Sequence, residues 1–176
     1  MSRIINVNGE LDVYSLGLIE KRFDRLVSYD SEKRITFLFR NCLGGDVNAV
    51  FRFIDKIIAS GVPVRTRNIG KIYSAAVILF LVGQKREGSN GCEFKLHPFK
   101  VNPEEVSFLN LEGDFDSWLG NVRKLRSRVT RFIVDRTRLS VSEVFHFFSS
   151  HKFHFDMKSA EKFGILKNPD MSKSEK

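Results

Sequence analysis

A chain of 176 residues, 42% of them hydrophobic and with charges interspersed, is long enough for one well-packed domain. Its longest apolar run, Ala75 to Val82, falls short of the ~18–20 residues of a membrane span, and the first residues carry no secretory pattern, so neither a membrane protein nor a secreted one is expected. Two cysteines, Cys42 and Cys92, make neither a disulfide framework nor a metal site and fit a reducing, cytoplasmic setting.

In chain order, Ile4 to Leu11 reads as a first strand with a turn at Asn8-Gly9. Leu16, Ile19, Phe23 and Leu26 mark one face of a helix. Arg34 to Arg40 is a continuous β-type run, expected as a strand buried on both faces and broken by Gly44-Gly45. Val47, Val50, Phe51, Ile54 and Ile57 recur at helical spacing. Val62 to Arg67 is a further strand, after which Gly70 is expected to turn the chain into a buried helix from Ser74 to Val82. Glu93 to Leu96 is a strand ending at His97-Pro98, and 100–116 reads as a loop.

A long helix follows from Asp116 to about Arg138. Seven of the Arg and Lys residues behind the net charge of +8 fall between Asn121 and Arg138. Trp118, Val122, Leu125, Val129, Phe132 and Ile133 recur at helical spacing through the same segment, so it reads as an amphipathic helix with a solvated basic face. Charge without base-reading groups carries no specificity, and nucleic acid is not the expected partner. Ser140-x-x-Glu143 is a capping box for a helix through about Ser149, and Asp156 caps a last helix, Met157 to Phe163, ended by Gly164. One domain is expected over 1–166, with a polar, disordered tail over 167–176.

Strands alternating with helices predict an α/β fold around a mostly parallel sheet, whose ligand site lies beyond the carboxyl ends of its strands. Three features fall at such ends: Gly44-Gly45, Ser74 and His97. Ser74 suits a helix cap, and it equally suits a nucleophile. His97, 23 residues later, is a base for it or an ordinary loop histidine. A glycine pair lets backbone N–H groups face a bound carbonyl, and it also serves a plain tight turn. His151-x-x-His154 invites a metal reading, but no Cys or carboxylate completes it, so neither a metal nor a cofactor is expected.

"RITFLFRNCLGGDVNAVFRFIDKI" resembles the Gly-Gly strand, turn and helix of the Clp protease proteolytic subunit, a serine peptidase family of the ClpP/crotonase superfamily. "GKIYSAAVILFLVGQKREGSNGCEFKLHPF" resembles that family's nucleophile segment and histidine strand. "RIINVNGELD" is similar to its first strand and "MKSAEKFGIL" to its closing helix, so the likeness runs from about Arg3 to Leu166. It implies a ClpP/crotonase-like fold of repeated ββα and βαβ units with a long, handle-like C-terminal helix. It implies Ser74 as nucleophile, His97 as general base, and the N–H groups of Gly45 and Ala75 as oxyanion hole. An unfolded peptide substrate, a homo-oligomeric ring and an AAA+ unfoldase partner go with it.

The chain departs from the pattern in places. Cys42-Leu43 stands where the family has Ser-Pro before the glycine pair, and Ala76 stands for a usual Gly. The family's catalytic Asp falls on Lys152 counting back from Gly164, and on His151 counting forward from Thr137. Asp156 matches the helix cap, and Asp114 and Asp116 fall in the expected loop. A peptidase, a catalytically impaired structural or regulatory homologue and a crotonase-type CoA-thioester enzyme are the three readings, in that order.

Overall fold

The computed structural model describes residues 2–97, 112–149 and 153–167. Its elements are β1 (Ile4–Leu11), α1 (Val13–Tyr29), β2 (Ile35–Gly45), α2 (Val47–Ser60), β3 (Val64–Tyr73), α3 (Ala75–Phe80), β4 (Lys85–Gly88), β5 (Glu93–Leu96), α4 (Glu112–Arg136), α5 (Val141–Ser149), β6 (Phe153–Phe155) and α6 (Met157–Lys162). The strands form one mixed sheet in the order β1-β2-β3-β5-β6. Pairing is parallel from β1 to β5 and antiparallel between β5 and β6. The far edge of β3 is divided: Arg65–Asn68 pairs with β4, and Lys71–Tyr73 pairs with β5. This is the expected α/β architecture.

Local chemistry sets the helix ends. Asp12 accepts from the N–H of Ser15 at 2.7 Å, and Asp46 accepts from those of Asn48 and Ala49, so α1 and α2 start on carboxylate caps. The α1 stripe Leu16, Ile19, Phe23 and Leu26 is buried as its spacing requires. Ser140 and Glu143 exchange bonds as a capping box, the Ser140 N–H reaching Glu143 at 2.7 Å. Asp156 accepts from Ser159 N at 2.8 Å, and Gly164 takes φ +72° past α6.

Helices cover one face of the sheet, and aromatic rings fill the space between. Phe23, Phe37 and Phe53 meet at 5.6–6.2 Å, and Phe80 touches Phe39 and Phe94 at 5.6 and 5.1 Å. Every residue of α3 is buried, so this short helix is the centre of the core. On the other face the residues of β2 are half-buried or exposed, so β2 is not buried on both sides. Ile35, Phe37 and Phe39 are buried, whereas Thr36 and Leu38 are half-buried and Arg40 is exposed. A run of apolar residues conceals that alternation, because Leu38 sits on the outer face.

Asn8-Gly9 and Gly70, expected as turns, lie inside strands, whereas Gly44-Gly45 ends β2 as expected. Asn8-Gly9 is an irregularity in the β1–β2 register, with Gly9 at φ +72°, and β1 continues to Leu11. Gly44 and Gly45 are the last residues of β2. Gly70 does not turn the chain: a Cβ there would lie 2.1 Å from the Arg40 carbonyl oxygen, so the glycine permits close approach at a slip in the β2–β3 register. Two strands were not expected. β4 reads Lys-Arg-Glu-Gly, too short and polar to register as a strand, and β6 has three residues.

α4 begins at Glu112, so Asp114 and Asp116 belong to a helix and not to a loop; 98–111 lies outside the described residues. Of the expected stripe, Val129, Phe132 and Ile133 are buried and Trp118, Val122 and Leu125 are half-buried, while Arg123, Lys124 and Arg131 are exposed. Arg86 was not anticipated at all. It is 3% exposed, and its guanidinium donates to the carbonyls of Gly83, Arg136, Gly164 and Ile165 at 2.6–3.1 Å. One side chain thus ties the end of α4 and the turn after α6 to β4. Burial, with Arg136 nearby, lowers its pKa to about 10, which leaves it charged at neutral pH.

Candidate active site

β2, β3 and β5 end side by side at the carboxyl edge of the sheet. Cys42 pairs with Ile72, and Tyr73 pairs with Lys95. Continuing each register sets Gly44 beside Ser74 on one flank and Leu96 beside it on the other, with His97 the next residue. Neighbouring strands lie about 4.8 Å apart, so the three segments share one small region.

Ser74 joins β3 to α3 with φ +54° and ψ −126°, the sole non-glycine with positive φ among the described residues. That conformation costs about 1–3 kcal/mol and persists only where the surroundings enforce it. Three contacts do so. The Ser74 N–H donates to the Lys95 carbonyl at 2.8 Å, its carbonyl accepts from Val77 N at 2.9 Å, and Gly44 packs against it. A Cβ on Gly44 would stand 2.7 Å from Ser74 Cβ, 2.8 Å from Tyr73 O and 3.0 Å from Ala75 N. Glycine therefore both allows the turn and leaves the N–H of Ala75 uncovered. Although Ser74 occupies the cap position of α3, its side chain accepts no capping hydrogen bond. The expectation that it caps the helix is overturned, because at positive φ it does not adopt the extended cap geometry.

Gly45 lies on the opposite flank. A Cβ there would meet the Leu11 carbonyl oxygen at 2.4 Å, which seats the residue against β1. Asn68, fully buried, donates to Glu93 O at 3.1 Å and accepts from Gly70 N at 3.0 Å, fastening β5 to β3 where β3 changes partners.

A model of the Clp protease family matches residues 1–168. The chain belongs to the Clp protease family. It is 22% identical to the ATP-dependent Clp protease proteolytic subunit 2 of Borreliella burgdorferi over 165 residues, covering 94% of this chain and 81% of that relative.

Within this member of the Clp protease family, the carboxylate nearest in sequence to His151 and Lys152 is engaged in a helix cap. Asp156 holds the N-terminus of α6, and its bonds to Ser159 keep its carboxyl below the usual range. His151 and Lys152 lie outside the described residues. Cys42 is fully buried between β1 and β3, and burial raises its thiol, the opposite of an activated nucleophile. No group of three His, Cys, Asp or Glu among the described residues is arranged for a metal ion, and no helix among them is long and apolar enough to cross a membrane. A cleft of about 1460 Å³ opens around Arg65, Arg67, Arg86 and Arg138, away from both Ser74 and His97.

The face beside Ser74 was not singled out from sequence. Glu93, Lys95 and His97 alternate with the buried Phe94 and Leu96, and Tyr73 and His154 stand across from Lys95 on the neighbouring strands. The period-two pattern in Glu-Phe-Lys-Leu-His was the signal that held this information.

Proposed function

We propose that the chain is a Clp-type serine peptidase in which Ser74 is the nucleophile, His97 the general base, and the N–H groups of Gly45 and Ala75 the oxyanion donors. The observation that carries this reading is the strained Ser74 turn pressed against Gly44, which spends stability to hold a hydroxyl at a strand-to-helix corner. Family membership supports it.

In the proposed cycle the His97 imidazole takes the Ser74 proton as Oγ bonds to the peptide carbonyl carbon. The N–H groups stabilise the resulting oxyanion. Collapse breaks the C–N bond, and His97 returns the proton to the leaving amine. Water then adds to the acyl-enzyme with His97 again as base, the C–Oγ bond breaks as His97 returns the proton to Ser74 Oγ, and the carboxylic acid departs. Substrates are unfolded polypeptides, drawn into a homo-oligomeric ring, with an AAA+ unfoldase supplying them. The exposed Leu43 on the outer side of β2 in a mostly parallel sheet supports self-association, since such sheets are ordinarily covered on both sides. α4 is assigned the handle role, and the setting is cytoplasmic.

The second reading, a catalytically impaired structural or regulatory subunit, is favoured by the acid position: His151 and Lys152 are not carboxylates, and Asp156 is engaged by Ser159. Histidine without an acid partner is less well oriented, and its imidazolium is less stabilised. Labelling with a fluorophosphonate separates the two. The peptidase reading expects labelling of the wild type that Ser74→Ala abolishes; an unlabelled, assembled wild type leaves the impaired subunit.

A further inference from the structure

Resting on the reading of Ser74 as nucleophile, we propose that Lys95, flanked by His154, selects peptides with an acidic side chain adjacent to the bond that is cut. Lys95 lies on β5 two residues before His97, which directly follows the strand, so along extended backbone their Cα atoms are about 6.6 Å apart. Its carbonyl receives the Ser74 N–H, which ties the same residue to the nucleophile. Across the three strands Tyr73, Lys95 and His154 form one row: Tyr73 pairs with Lys95 on β5, and Lys95 pairs with His154 on β6. The Tyr73 ring meets the His154 ring edge-on at 6.3 Å and lies 5.6 Å from the Lys95 ammonium.

The charge in this row is unbalanced. Glu93, the carboxylate of this face on β5, is already held by Lys71 at 3.3 Å and by the Tyr73 hydroxyl at 3.3 Å. Lys95 forms no ion pair among the described residues; it rests on an aromatic ring. A peptide passing between Ser74 and His97 carries its flanking side chain over this row. There a carboxylate finds an ammonium and an imidazole, and its methylenes find the Tyr73 ring. A lysine in that place meets like charge. The preference is expected to be roughly tenfold, which corresponds to about 1.4 kcal/mol.

The test uses the full chain with Ser74→Ala, so that binding is read without turnover. Two fluorescein-labelled peptides, identical except for Glu or Lys on both sides of a central Leu, are titrated by fluorescence anisotropy. The Glu peptide is expected to bind about tenfold more tightly. Adding Lys95→Gln should erase the preference, and adding Lys95→Glu should reverse it. Equal affinities, no binding of either peptide, or a preference that survives both substitutions overturns the proposal. Fluorophosphonate labelling of the wild type is scored separately. Labelling without the preference removes the selectivity and keeps the peptidase. A Lys95-dependent preference without labelling removes the peptidase and keeps an acid-selecting peptide surface.

Discussion

Gly44 and Ser74 are in contact across two strands so closely that a single methyl on Gly44 would stand 2.7 Å from Ser74 Cβ. Gly44 itself has φ +96°, a conformation that an L side chain rarely adopts. Gly44→Ala is therefore expected to shift the Ser74 turn and to cover the Ala75 N–H together. Fluorophosphonate labelling should slow by roughly 100-fold, the scale of a misplaced reacting group. Circular dichroism should still report a folded chain. A Gly44→Ala protein labelled at the wild-type rate would show that this contact does not govern Ser74.

Cys42 gives the complementary control. It lies on the same strand two residues before Gly44, but it is fully buried and its thiol is raised by burial. Cys42→Ala should label with fluorophosphonate within about threefold of wild type, since the cost of a small cavity falls on stability and not on the reacting atoms. In the native protein iodoacetamide should modify Cys42 only as fast as the fold opens.

Arg86 is a buried cation whose guanidinium is satisfied by four carbonyl oxygens. Arg86→Met fills similar space but leaves those carbonyls without their donor. The expected loss is about 3–5 kcal/mol, since buried acceptors left without a donor cost about 1–3 kcal/mol each, read as a lower urea midpoint. Arg86→Lys should recover only part of it, because an ammonium cannot span the same fan of acceptors.

Asp156 sets a pH dependence. Bonds from Ser159 stabilise its carboxylate, so its pKa in the folded chain lies below the usual 3.8. As pH falls, the unfolded chain takes up the proton first, and it then binds more protons than the folded one. Stability from this cap is fully present above the unfolded value and is lost as pH falls through the folded one. Thermal melts of wild type and Asp156→Asn should therefore converge as pH drops below about 4, since Asn keeps the cap without titrating. A constant difference in Tm across that range would exclude the assignment.

Much of this protein is legible along the chain because its decisive patterns are local. The stripe Leu16–Leu26, the Asp156 cap and the Ser140–Glu143 box each involve residues within a few turns, and helix periodicity or a hydrogen bond within the first helical turn determines them. The alternation of strands and helices likewise led to the sheet and to Gly44, Ser74 and His97 at its carboxyl edge. What tertiary structure alone decided depends on atoms far apart in sequence. Gly70 is a glycine because of Arg40, not because the chain turns there, and β6 is a strand because β5 offers it an edge. β2 is buried along one side while its other side is half-buried or exposed, a division that its nearly continuous apolar run does not record. Ser74 is strained and does not cap its helix because Gly44 and the Lys95 carbonyl hold the backbone from both flanks, a constraint that exists only once three strands lie together.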